Sequence, residues 1–139
     1  MHRGLRSTRQ RLLGMACRRA LAGGVCIFLL AGCATRQTIS YHHDVYPVLE
    51  THCLECHRPP DGKGYLQTRL SMESYQSLMK GTLYGPVIVP GDSRKSILNM
   101  LVEGRADASL RMPHQRDEPL SAQDIEILRT WVDQGARDN

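Results

Sequence analysis

Apolar residues recur at helical spacing in four places along the chain. Val45, Val48 and Leu49 fall at i, i+3 and i+4. Met72, Tyr75 and Met79 share one face of a second segment. Ile97, Leu98, Leu101 and Val102 make a third stripe, and Ile125, Leu128, Trp131 and Val132 a fourth. Such spacing predicts amphipathic helices that bury one side. Punctuation around the stripes agrees. Asp44 is a candidate cap for the first helix, with Pro47 in its first turn. Ser71 is a candidate cap for the second and Gly81 its stop. Asp92 or Ser93 would open the third, which Gly104 closes. Ser121 with Asp124 resembles a capping box before the fourth, and Gly135 follows its end near Gln134.

No period-2 alternation and no internal repeat occurs. Between the stripes lie Pro- and Gly-rich stretches, Arg58 to Gly64 and Gly85 to Gly91, and the irregular run Arg105 to Pro119. The predicted fold is all-α: about four short helices joined by long loops.

Upstream of Val45 the pattern changes. Residues 1–32 carry six arginines and no acid, with an apolar run from Ala20 to about Gly32. Only 16 uncharged residues separate Arg19 from Arg36. That is short of the roughly 18 or more a spanning helix needs. The expected reading is a cleaved signal peptide over residues 1–32. Leu30-Ala31-Gly32-Cys33 resembles the bacterial lipobox, which implies lipid on Cys33 after cleavage. More than one acyl chain is needed for stable anchoring, and lipoproteins of that kind carry several. Residues 33–43 then read as lipidated Cys and tether, and residues 44–139 as the domain. Ala34 after the lipidated Cys implies, by the same resemblance, the outer membrane. The expected location is the bacterial cell envelope, facing the periplasm.

This division changes the meaning of the charge. The chain has 139 residues and a net charge of +4. Six of its 18 basic residues and none of its 14 acidic ones lie in residues 1–32. The remainder is mildly acidic, and no basic patch argues for nucleic acid.

Cys53-Leu54-Glu55-Cys56-His57 is the stretch with chemistry in it. C-x-x-C-H is the spacing of covalent haem attachment. Each thiol adds across one vinyl group, and the adjacent imidazole reaches the iron. A thioredoxin-like redox pair would need a βαβ context, and a zinc site a second ligand pair. Neither is visible. The five cysteines are all absorbed: Cys17 and Cys26 leave with the signal, Cys33 takes lipid, and Cys53 and Cys56 take haem c.

The candidates for the second axial position are Met72, Met79, Met100 and Met112. The first three sit in helical, apolar surroundings where packing is expected. Met112 lies in an irregular loop with Pro113 after it, and is the expected distal ligand. His114 is the rival. His42, His43 and His52 read as surface histidines. Arg58, Lys63, Arg69, Arg105 and Arg111 are candidates to pair with propionates. With Phe28 inside the signal and Trp131 the single Trp, core material is scarce, so the cofactor-free chain is expected to fold poorly.

With these residues in hand, Val45 to Ala136 resembles the planctomycete-type cytochrome c domain of the class I cytochrome c group. The likeness runs through Pro47, Cys53 to His57, Gly85-Pro86, Pro90-Gly91-Asp92, Ser96, Met112-Pro113, Leu120-Ser121 and Trp131 to Gly135-Ala136. It implies one covalent haem c, proximal His57, distal Met112, and first and last helices that cross. Such domains often read Met-Pro-Pro, and here His114 takes the third place. The expected function is a lipid-anchored monohaem cytochrome passing single electrons to redox partner proteins. The alternatives are a five-coordinate haem enzyme or sensor, peroxidase-like or gas-binding, and an assembly or binding lipoprotein stabilised by haem.

Overall fold

The computed structural model describes residues 37–114 and 119–139. The expected signal peptide, Cys33 and the start of the tether lie outside the described residues. Five α-helices occur among the described residues, and no named strand. They are α1 (Tyr46–His52), α2 (Lys63–Thr68), α3 (Tyr75–Lys80), α4 (Ile97–Val102) and α5 (Ala122–Asp133). A π-helical turn, Tyr41–Val45, leads into α1, and a 3₁₀ turn, Ala108–Leu110, follows α4.

The first helix therefore starts earlier than its stripe suggests, and Ser40 caps it in place of Asp44. Ser40 Oγ accepts from the His43 N–H at 3.2 Å, and Asp44 Oδ2 accepts from the Ser40 N–H at 2.7 Å. The two side chains satisfy two orphan donors reciprocally. The widened turn has a cause in Pro47. Proline cannot donate, and its ring crowds the carbonyl four residues back. Bonds to the fifth residue back, such as Val45 N–H to Ser40 O at 3.1 Å, relieve that crowding.

Residues 39–43, read in the sequence as tether, are tied to the C-terminus. Ile39 N–H donates to Gln134 Oε1 at 2.8 Å, and Tyr41 N–H to Asn139 Oδ1 at 3.0 Å. Tyr41 is buried, its ring 5.6 Å from that of Trp131 and 5.3 Å from that of Tyr75. The leading turn thus packs on α5, whose Leu128, Trp131 and Val132 are buried, and α5 packs on α4. Burying each such side chain contributes about 1.5–3 kcal/mol.

The other stripes hold with shifted ends. Ser74, and not Ser71, caps α3, in a capping box with Ser77. The residue before α4 is Ser96, while Asp92 Oδ1 holds the preceding turn through the Lys95 N–H at 3.1 Å. Ile97 of the predicted buried stripe is exposed, because it stands at the first turn of α4 beside an open cavity. The fourth helix follows its signals: Ser121 accepts from the Asp124 N–H, and Gly135 follows with φ +100°.

Helix α2 falls partly in a stretch read as loop. It buries no residue of its own, so it left no apolar stripe to read. Bonds to other parts of the chain hold it: Tyr65 N–H donates to Cys56 O at 3.0 Å and Leu83 N–H to Thr68 O at 2.9 Å.

Candidate functional site

Helix α1 delivers the Cys53-to-His57 motif. Its last bonds run from Cys53 N–H to Leu49 O at 2.8 Å and from Leu54 N–H to the same oxygen at 3.0 Å. One further turn follows, with Cys56 and His57 N–H both donating to Cys53 O, at 3.1 and 2.9 Å. That turn puts Cys53, Cys56 and His57 on one wall of a cavity of about 360 Å³. Both cysteines are half-buried and neither is in a disulfide. Leu54, between them, points into the core instead.

His57 is fixed from two directions. Its Nδ1 lies 3.4 Å from the carbonyl oxygen of Leu70. A carbonyl only accepts, so Nδ1 carries the proton and Nε2 keeps its lone pair. This backbone anchor is the usual support of a metal-ligating histidine. The second support is Gly64 of α2. A methyl group on Gly64 would stand 2.5 Å from His57 Cε1 and 2.8 Å from Nε2. Only glycine leaves room for α2 to lie against the ring. Burial holds the imidazole below the usual histidine range, against the opposing pull of the Leu70 carbonyl. The ring is therefore a neutral donor, the form a metal requires.

The rest of the cavity is mainly apolar: Leu70, Met72, Val87, Leu98, Leu101 and Val102. Met112 and His114 reach it from the loop after the 3₁₀ turn. Met112 N–H donates to Leu101 O at 3.2 Å, which pins that loop to α4. Of the other methionines, Met72 also lines the cavity, but its N–H is bonded to the carbonyl of His57 itself at 2.9 Å. It is a buried core residue on the histidine's own wall. Met79 packs against the core.

The five cationic candidates separate clearly. Lys63 lines the cavity. Arg105 is committed elsewhere, donating to Ser93 O, Arg94 O and Glu103. Arg58 lies 3.6 Å from Glu73, and Arg69 lies over the Tyr65 ring at 5.3 Å. Arg111 lies against Gly104. Among the histidines, His42 pairs with Asp138 at 3.1 Å on the surface. His52 does line the cavity, with Nε2 3.8 Å from Asp124. A second groove, of about 480 Å³, adjoins the cavity and shares Cys56, Lys63 and His114 with it. Its walls are charged and proline-rich, from Glu55 through Arg58 to Lys63.

Two thiols, a neutral imidazole and a thioether thus face one apolar-walled cavity. That donor set fits a covalently held haem, and the cavity volume lies in the range of cofactor sites. Sequence reading missed Gly64, the Leu70 carbonyl and Ile97. None carries a local signal, since each matters only through a contact made by the fold.

Comparison with known proteins gives a consistent result. Residues 53–115 match the family model described as planctomycete cytochrome C. The match spans a little under half of the chain, from the first cysteine of the motif to just past His114. No curated protein and no solved structure matches. The matched segment is similar to planctomycete cytochrome C domains, and the coarse function the match supports is that of a haem-binding cytochrome.

Proposed function

We propose, taking the cytochrome c match of residues 53–115 as the premise, that this chain is a lipid-anchored monohaem cytochrome carrying single electrons in the bacterial periplasm. The observation that carries the reading is the convergence of Cys53, Cys56, His57 and Met112 on one apolar cavity. Bound haem would supply the one-electron ferric–ferrous couple.

The chain's residues do the rest. Cys53 and Cys56 would hold the group by two thioethers. His57 offers Nε2, kept in its tautomer by the Leu70 carbonyl and in its orientation by Gly64. Met112 offers a soft thioether, a pairing with histidine that raises the reduction potential. Leu70, Val87, Leu98 and Val102 exclude water, and the low dielectric further favours the less charged, reduced site. Lys63 is the cation placed to meet a propionate.

With His57 and Met112 both offered to the iron, a haem bound here would leave no open coordination site for a substrate. The reading is therefore of an electron carrier, with redox proteins as its partners. Lipid on Cys33 would confine it to a membrane surface, the outer membrane by the Ala34 that follows. The lipobox sequence supports that placement.

The test is intact mass and a visible spectrum of the mature protein extracted from membranes of a host competent for cytochrome maturation. The expected product is red, carries the mass of one haem and of acyl chains, and shows the low-spin spectrum of a six-coordinate haem both when reduced and when oxidised. A colourless product overturns the haem reading. Rapid carbon monoxide binding without denaturant overturns the closed, electron-carrying site.

A further inference from the structure

We propose that His114 is a second donor to the distal position, competing with Met112 according to the oxidation state of the iron. The inference rests on the haem reading above.

His52, His57 and His114 line the cavity. The Nε2 of His52 is turned toward Asp124 Oδ2, at 3.8 Å. The other two histidines share one arrangement. Nδ1 of His57 faces the Leu70 carbonyl oxygen at 3.4 Å, and Nδ1 of His114 faces the Arg111 carbonyl oxygen at 3.1 Å. Each carbonyl fixes the proton on Nδ1 and leaves the lone pair on Nε2. A backbone carbonyl on one ring nitrogen is the support a metal-bound imidazole has. His114 is therefore prepared as a ligand in the manner of His57.

Its position suits the role. Pro113 alone separates it from Met112, and all three residues line the cavity. Two residues span at most about 7 Å, so both donors lie within reach of one site. Met112 is pinned by its N–H to Leu101 O at 3.2 Å, and His114 stands two residues beyond that pin. His114 is also exposed, at the junction of the cavity with the charged groove.

Ligand chemistry sets the direction of the exchange. A thioether is soft and favours ferrous iron, whereas an imidazole is harder and favours ferric iron. Imidazole from His114 binds in the oxidised protein and thioether from Met112 in the reduced one. Each donor binds iron through a lone pair as a neutral group. The electron that drives it comes from, or goes to, the redox partner.

The experiment uses the full-length holoprotein as wild type, Met112→Leu, His114→Ala and the double variant. Haem content is measured in each by mass and pyridine haemochrome. Ferric samples are then examined by electron paramagnetic resonance and near-infrared magnetic circular dichroism, and all by redox titration. The expected wild type shows a bis-imidazole signal when ferric and methionine ligation when ferrous. Met112→Leu stays low-spin when ferric and has a lower potential, and the double variant becomes high-spin. His114→Ala loses the bis-imidazole signal. The proposal is overturned if ferric Met112→Leu is high-spin, or if its low-spin signal survives His114→Ala. Should Met112→Leu fail to hold haem, identical ferric spectra of wild type and His114→Ala overturn it alone. Full haem with unchanged spectra sinks only the role of His114, whereas a wild type without covalent haem sinks the haem reading as well.

Discussion

Gly64 lies so close to the face of His57 that a methyl group there would come within 2.5 Å of the ring. Gly64→Ala must therefore move either α2 or the imidazole. Moving α2 strains its bonds to Cys56 and Gly62, and moving the ring disturbs the 3.4 Å approach of Nδ1 to Leu70 O. Overpacking of this kind costs about 1–3 kcal/mol. The expected result is a lower melting temperature and an altered haem spectrum. Leu66→Ala, an exposed position on the same helix, is the control. If Gly64→Ala matches that control in both readouts, the packing described for His57 is wrong.

On the haem reading, Cys53 and Cys56 should make separable contributions. Each of Cys53→Ala and Cys56→Ala should keep haem through one remaining thioether, with the pyridine haemochrome band shifted to longer wavelength. Haem should resist acid–acetone extraction in both single variants and be lost in the double. Release of haem from either single variant would show that the two thiols do not each form a bond.

The same double variant tests how far the cofactor supports the fold. Without it, a cavity of about 360 Å³ borders the core residues Leu70, Met72, Val87 and Leu98. Those apolar side chains would then stand open to water, at about 25 cal/mol per Å² of apolar surface, so the loss is on the order of several kcal/mol. That is a large share of the roughly 5–15 kcal/mol that stabilises a typical domain. Circular dichroism should show a melting midpoint at least about 10 °C below that of the holoprotein. Equal midpoints would mean that the helices need no cofactor.

Tyr41 gives a pH-dependent prediction away from the site. Its hydroxyl is buried without a hydrogen-bond partner among the described residues. Burial, with smaller contributions from Tyr46, Asp138 and Tyr75, pushes its pKa up from 10.0 to about 12. Between those values the unfolded chain releases the proton and the folded one keeps it. Stability from this group is thus complete below pH 10 and falls as pH rises toward 12, by an amount on the order of 2–3 kcal/mol. Tyr41→Phe should be neutral to slightly stabilising at pH 7, since no bond is lost. It should also lose less stability than wild type between pH 10 and 12 in urea titrations. Parallel curves for the two proteins would refute the assignment.

Much of this molecule was legible in its sequence because the signals are local. Apolar residues at i, i+3 and i+4 are neighbours on any helix, so the stripes of α1, α3, α4 and α5 needed no partner to be read. The same holds for Ser121 with Asp124, and for Cys53 to His57, whose spacing is itself the chemistry. Contacts between distant residues were decided only by the tertiary structure. Helix α2 buries nothing and forms because Cys56 and His57 are there to receive it. Ser40 outranks Asp44 as the first cap because the C-terminal residues Gln134 and Asn139 hold the chain ahead of it in place. Lys63 emerges from five equivalent cations because the fold commits Arg105 to backbone carbonyls elsewhere and leaves Lys63 at the cavity. Residue type and spacing determine which groups are available. Packing determines which of them meet, since that depends on separations the order of residues does not encode.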